Sequence, residues 1–150
     1  MRELVLRTLE DTDRLAVELA LACQPGDAVL LSGDLGAGKS ELARRFLRNW
    51  TGDPELEVPS PTFTLIQTYD AVKGSVWHCD LYRLSDEEEL YELGIEQAFG
   101  ECVTLIEWPD RLGALVPRDR LEVTMEICEG DERKLTLNGF GRLEALSILT

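Results

Sequence analysis

The stretch Ala28-Val29-Leu30-Leu31-Ser32-Gly33-Asp34-Leu35-Gly36-Ala37-Gly38-Lys39-Ser40 decides the fold. Its first part is a nearly unbroken apolar run, the pattern of a central strand buried on both faces. Its second part matches G-x-x-x-x-G-K-[ST], a spacing in which each residue type has a physical task. Glycines let backbone N–H groups curl around phosphate without a Cβ in the way. Lys39 places a point charge on the β- and γ-phosphates, and the Ser40 hydroxyl is a ligand for Mg²⁺. Residues 39–50 read as a helix whose positive N-terminal end faces the same phosphates. Thr51-Gly52-Asp53-Pro54 stops it. The expectation is a nucleoside triphosphate with magnesium, held by residues 33–40.

Working outward, Leu4-Val5-Leu6 is a short strand candidate, and residues 12–23 read as a helix with Leu15, Leu19 and Ala22 on one face. Beyond the proline-rich residues 55–61, Phe63, Leu65, Gln67 and Tyr69 alternate with Thr64, Ile66 and Thr68 as in a strand. Lys73-Gly74 marks a turn before a second strand, Val76-Trp77-His78-Cys79-Asp80, so this pair is an antiparallel hairpin. Ser85 and Glu88 have capping-box spacing ahead of a helix reaching about Phe99. Val103-Thr104-Leu105-Ile106 is another buried strand, ending at Glu107-Trp108-Pro109. A second, half-exposed hairpin follows, with Leu121, Val123, Met125 and Ile127 before the Gly130 turn and Leu135 and Leu137 after it. A short helix over 142–149 closes the chain. The sum is an α/β fold of the P-loop NTPase type, a mixed sheet of about seven strands flanked by helices, with residues 1–150 as a single domain.

Composition narrows the function. The 150 residues carry a net charge of −14, which argues against a nucleic-acid surface on this chain, because phosphate contacts need clustered Lys and Arg. Four cysteines lack any C-x-x-C spacing and one histidine is present, so a zinc site is not expected. No run reaches the ~18 apolar residues of a membrane span. The first residues lack a signal-peptide core, and the expected location is cytoplasmic. The guanine-reading N-K-x-D motif is absent, which favours ATP over GTP.

Two carboxylates stand where such sites lie, at the ends of predicted buried strands. Glu107 would be costly there without a cation, and magnesium is the obvious one. Asp80 could hold magnesium through water or orient the attacking water; the two roles could also be exchanged. In the proline-fixed loop the Thr62 hydroxyl could sense the γ-phosphate, with Ser60 as the alternative. A turn hydroxyl bonding its own backbone explains either equally well. His78 shares a strand face with Asp80 and either helps to position it or is simply packed. Glu41, directly after Ser40, must point away from the phosphates or weaken their binding.

These residues carry a resemblance. Gly33-Asp34-Leu35-Gly36-Ala37-Gly38-Lys39-Ser40, Ser60-Pro61-Thr62-Phe63-Thr64-Leu65, His78-Cys79-Asp80-Leu81-Tyr82-Arg83-Leu84 and Leu105-Ile106-Glu107-Trp108-Pro109 occur in the order and spacing of the TsaE (YjeE) family. The chain resembles these bacterial P-loop ATPases over roughly residues 10 to 117. The resemblance implies magnesium-dependent ATP hydrolysis and a part in making threonylcarbamoyladenosine at tRNA position 37; with no obvious glutamine base or arginine finger in the sequence, slow hydrolysis alone and acceleration by partners are expected. It implies TsaB- and TsaD-type proteins as partners, with tRNA met only through that complex. It also implies that Asp80 acts in hydrolysis, that Trp108 belongs to the functional surface rather than the core, and that Thr12 and Arg133 lie near the nucleotide. A capping hydroxyl explains Thr12 as well. Departures are Ser40-Glu41 where the family has two threonines, and Cys79 where an aromatic is common. A small P-loop kinase and a non-catalytic nucleotide-dependent binding module are the competing readings. A kinase of this type needs an arginine-rich lid, and the sequence has no such segment.

Overall fold

The computed structural model describes residues 1–59 and 65–145. In chain order it contains β1 (Arg2–Leu6), α1 (Leu9–Ala22), β2 (Ala28–Gly33), α2 (Lys39–Thr51), β3 (Ile66–Tyr69), β4 (Val76–Asp80), α3 (Glu88–Leu93), α4 (Ile95–Glu101), β5 (Val103–Glu107), β6 (Arg120–Ile127) and β7 (Arg133–Phe140). Short 3₁₀ turns lie at Pro109–Leu112 and Gly141–Leu143. All seven strands form one sheet in the order β1-β7-β6-β2-β5-β4-β3.

The centre of the sheet is parallel: β2 pairs with both β5 and β6, and β4 pairs with β5. Its edges are antiparallel hairpins, β3 on β4 and β7 on β6, with β1 added outside β7. Parallel strands need both faces covered. One face carries α1 and α2, whose Leu15, Leu19, Leu42, Phe46 and Leu47 pack with Val29, Leu31, Val103 and Leu105. The other carries Leu81, Leu90, Ile95 and Leu112 against Ala28, Leu30, Cys79 and Ile106. The alternation along β2 and β5 is thus divided between two cores, which explains why their sequences read as unbroken apolar runs.

Four elements differ from the sequence reading. Helix α1 starts at Leu9, a turn earlier than expected, because Thr8 caps it in a capping box with Asp11. Thr12 is therefore inside the helix, buried, and is not its cap. The helix expected from Ser85 to Phe99 is two helices, broken at Gly94, whose φ of +80° closes α3 and opens α4. Ser85 donates to the Glu89 carboxylate at 2.7 Å instead of capping the backbone. Strand β3 begins at Ile66, while Leu65 has a φ of +65°; Phe63 and Thr64 lie outside the described residues. The closing helix expected over 142–149 starts instead as a 3₁₀ turn, and residues 146–150 lie outside the description.

Candidate functional site

Strand β2 ends at Gly33, and the chain turns through residues 34–38 into α2. Gly33 has a φ of +144°, and a Cβ there would run into the Met125 carbonyl oxygen on β6. Gly36 and Gly38 also have positive φ, and Gly38 is the left-handed residue that opens α2. The first turn of α2 has no side-chain cap, which leaves its N–H groups directed at the loop. Asp34, Leu35 and Gly36 are exposed at the tip, and Ala37 is buried beneath it.

Lys39 is buried, with its ammonium donating to the Gly33 carbonyl at 2.5 Å. The same nitrogen sits 3.7 Å from the centre of the Trp108 ring. Burial lowers the pKa of Lys39, and the carboxylates of Glu107, Asp80, Asp34 and Asp110 oppose that shift. Trp108 is half-buried and has a left-handed backbone, φ 60° and ψ 54°. Its ring lies against Tyr82, with centroids 4.9 Å apart.

The parallel register brings the two carboxylates together. Asp80 and Glu107 are direct partners at the ends of β4 and β5, and Leu31 of β2 pairs with Glu107 from the other side. Glu107 accepts from the Ser40 hydroxyl at 3.1 Å through one oxygen and contacts His78 Nε2 at 2.8 Å through the other. Asp80 accepts from the Tyr82 N–H at 3.0 Å. His78 thus bonds Glu107, a different carboxylate from the one its place in β4 suggested. A cleft of about 290 Å³ is lined by residues of the loop, Lys39, Ser40, Asp80, Glu107 and Trp108.

A second, larger cavity of about 750 Å³ adjoins this cleft, and both are lined by Gly38 and Glu41. Its walls include Leu6, Arg7, Leu9 and Thr12 from the β1–α1 corner, and Met125 and Arg133 from the β6–β7 hairpin. Arg133 reaches the loop itself, donating to the Gly36 carbonyl at 3.4 Å. Glu41 pairs with Arg44 and, at 2.8 Å, with Arg45, farther along α2. Arg7, Leu9 and Met125 were not singled out from the sequence, because only the folded corner and hairpin bring them to this cavity.

The donor set suits magnesium. A hydroxyl and two carboxylates converge beside a loop built to take phosphate, and Mg²⁺ is typically held by one or two carboxylates plus phosphate and water rather than by an all-protein cage. Among the described residues no group of three or more His, Cys, Asp or Glu forms a metal cage. Ser60 and Thr62 lie outside the described residues. No helix among the described residues is long and apolar enough to cross a membrane.

Comparison with known proteins gives a consistent result. Residues 6–135 match the family model described as "Threonylcarbamoyl adenosine biosynthesis protein TsaE". A protein of Rickettsia bellii called tRNA threonylcarbamoyladenosine biosynthesis protein TsaE is 40% identical over 129 residues, covering 86% of this chain and 89% of the relative. The Bacillus subtilis protein of the same name is 36% identical over 144 residues, covering 94% and 89%. Among solved structures, that of Bacillus subtilis YdiB superposes with a TM-score of 0.73 at 28% identity, over 95% of this chain and 88% of that one.

Proposed function

The chain belongs to the TsaE family, and from that premise we propose that it binds ATP with magnesium, hydrolyses it slowly, and acts in forming threonylcarbamoyladenosine at tRNA position 37. In this reading it is a switch on a TsaB–TsaD-type transferase complex, with tRNA held by the partners. The observation that carries it is the meeting of Lys39, Ser40, Asp80 and Glu107 in one cleft at the ends of parallel strands.

The N–H groups of Asp34, Leu35, Gly36, Ala37 and Gly38 wrap the phosphates, aided by the open first turn of α2. Lys39 exchanges the Gly33 carbonyl for the β- and γ-phosphates, which restores full value to a charge that burial disfavours. Ser40 and Glu107, which are hydrogen-bonded to each other, would hold magnesium, and Asp80, the register partner of Glu107, would hold it through water or orient the attacking water. Magnesium, when bound, neutralises charge on the phosphoryl oxygens. Thr12 and Arg133 line the cavity that takes the base and ribose. Thr62, or Ser60 in its place, senses the γ-phosphate.

Trp108 reports nucleotide state outward. It contacts both the Lys39 ammonium and half-exposed Tyr82, so movement of the ammonium toward phosphate would disturb the aromatic pair. Among the described residues no arginine lines the cleft, which fits slow hydrolysis alone and acceleration by partners.

The test is phosphate release from γ-labelled ATP with magnesium, alone and with the partner proteins. The expected result is slow release of inorganic phosphate that the partners accelerate. Asp80→Asn should bind ATP normally and lose about 100-fold or more in hydrolysis. Transfer of the label to a small acceptor, or undiminished hydrolysis by Asp80→Asn, would overturn the reading.

A further inference from the structure

His78 lies in the middle of β4, between β3 and β5, and is 1% exposed. Its strand face also carries Val76, and Leu105 is its register partner on β5. A position of this kind ordinarily takes an aliphatic side chain. An imidazole there brings two polar nitrogens into an apolar layer, and only one is used. Nε2 is 2.8 Å from Glu107 Oε2. An ionised carboxylate only accepts, so Nε2 carries the proton and donates. Nδ1 has no hydrogen-bond partner among the described residues.

Packing alone therefore argues against histidine. A buried polar atom without a partner is destabilising, and leucine would fill the layer without one. What the imidazole supplies is a fixed donor to Glu107. The other oxygen of that carboxylate, Oε1, accepts from Ser40 Oγ at 3.1 Å. Glu107 is thus held from two directions, by the first turn of α2 and by the sheet, and its side chain is 4% exposed. With Oε2 occupied, Oε1 is the oxygen aimed at the loop.

We propose that His78 is a positioning residue that orients the Glu107 carboxylate, through the Nε2–Oε2 bond, toward magnesium bound beside Ser40. The proposal rests on the reading of Glu107 as a magnesium-holding residue given above. His78 itself touches neither nucleotide nor metal. Outer partners that orient a ligating carboxylate typically matter by about 10–100-fold in metal affinity.

The experiment measures binding of a fluorescent ATP analogue to the full chain over a magnesium titration and, separately, in EDTA. In His78→Leu the magnesium concentration that half-maximally tightens binding should rise about tenfold or more. Its EDTA affinity should stay at the wild-type value. His78→Gln, which keeps an N–H donor of similar reach, should restore most of the magnesium response. An unchanged magnesium requirement in His78→Leu overturns the proposal, and so does an equal loss with and without magnesium. If His78→Leu does not fold, His78→Asn makes the same test, since its amide is too short to reach Oε2: its requirement must rise while that of His78→Gln does not. Glu107→Gln separates this proposal from its premise. If Glu107→Gln leaves the magnesium requirement unchanged, the premise fails. If Glu107→Gln shifts it and His78→Leu does not, only the role of His78 fails.

Discussion

Gly33 and Gly36 both have positive φ within the same loop, yet the structure asks different things of them. A Cβ on Gly33 would meet the backbone of Met125 in the neighbouring strand, which cannot move without breaking the β2–β6 pairing. A Cβ on Gly36 would meet nothing within 4 Å, so only the backbone conformation opposes it. Gly36→Ala should cost about 1–2 kcal/mol and leave a folded, nucleotide-binding protein. Gly33→Ala should abolish nucleotide binding and lower the melting temperature further. Thermal melts and nucleotide titrations of the two variants check this, and equal behaviour would contradict it. At this scale the motif was legible because its chemistry is local. Glu41 was legible only as a question, since its answer lies in Arg44 and Arg45, one helical turn along. The His78–Glu107 bond was not legible, because it joins residues 29 apart in sequence through the register of two strands.

Helix α1 shows what a periodic pattern conceals. Leu9 is 60% exposed and so adds nothing to the apolar face from which the helix start was read. The start is fixed instead by Thr8, whose side chain accepts from the Asp11 N–H at 3.2 Å, while the Asp11 carboxylate accepts from the N–H groups of Thr8 and Arg7. The Arg7 N–H foremost, and the Arg14 guanidinium next, hold the Asp11 pKa below the usual carboxylate value. Because that pKa is lowered by folding, its stabilising effect is present above the unfolded pKa and is lost as pH falls through the folded one. Thr8→Ala should destabilise the protein by about 1 kcal/mol, read as a shift in denaturant midpoint at unchanged slope. No shift would mean that tertiary packing alone sets the helix start. Gly94 is the converse case. A lone glycine in a helical pattern reads as tolerated, but with a left-handed φ it ends one helix and begins the next.

Across the whole molecule, the strand order does what no single element could. Three chain segments far apart in sequence end side by side, so the loop after β2 faces Asp80 and Glu107 at the ends of β4 and β5. The sequence showed the β2 and β5 segments to be buried, and placed acids at the ends of β4 and β5. It did not contain their order, because pairing between distant segments leaves no local pattern. The same distance kept the large cavity out of sight, since its walls come from the β1–α1 corner and the β6–β7 hairpin. The net charge of −14 suits the proposed division of labour, in which partner proteins would hold the tRNA. If the chain is the proposed switch, this cleft must engage ATP for modification to continue beyond its first round. The most direct test is a reconstitution with TsaB- and TsaD-type proteins, tRNA, ATP and a threonylcarbamoyl donor, counting threonylcarbamoyladenosine formed per transferase complex over time. With the native chain the count should keep rising, and with Lys39→Ala it should stop after the first turnover; full multi-turnover modification by Lys39→Ala would contradict the account.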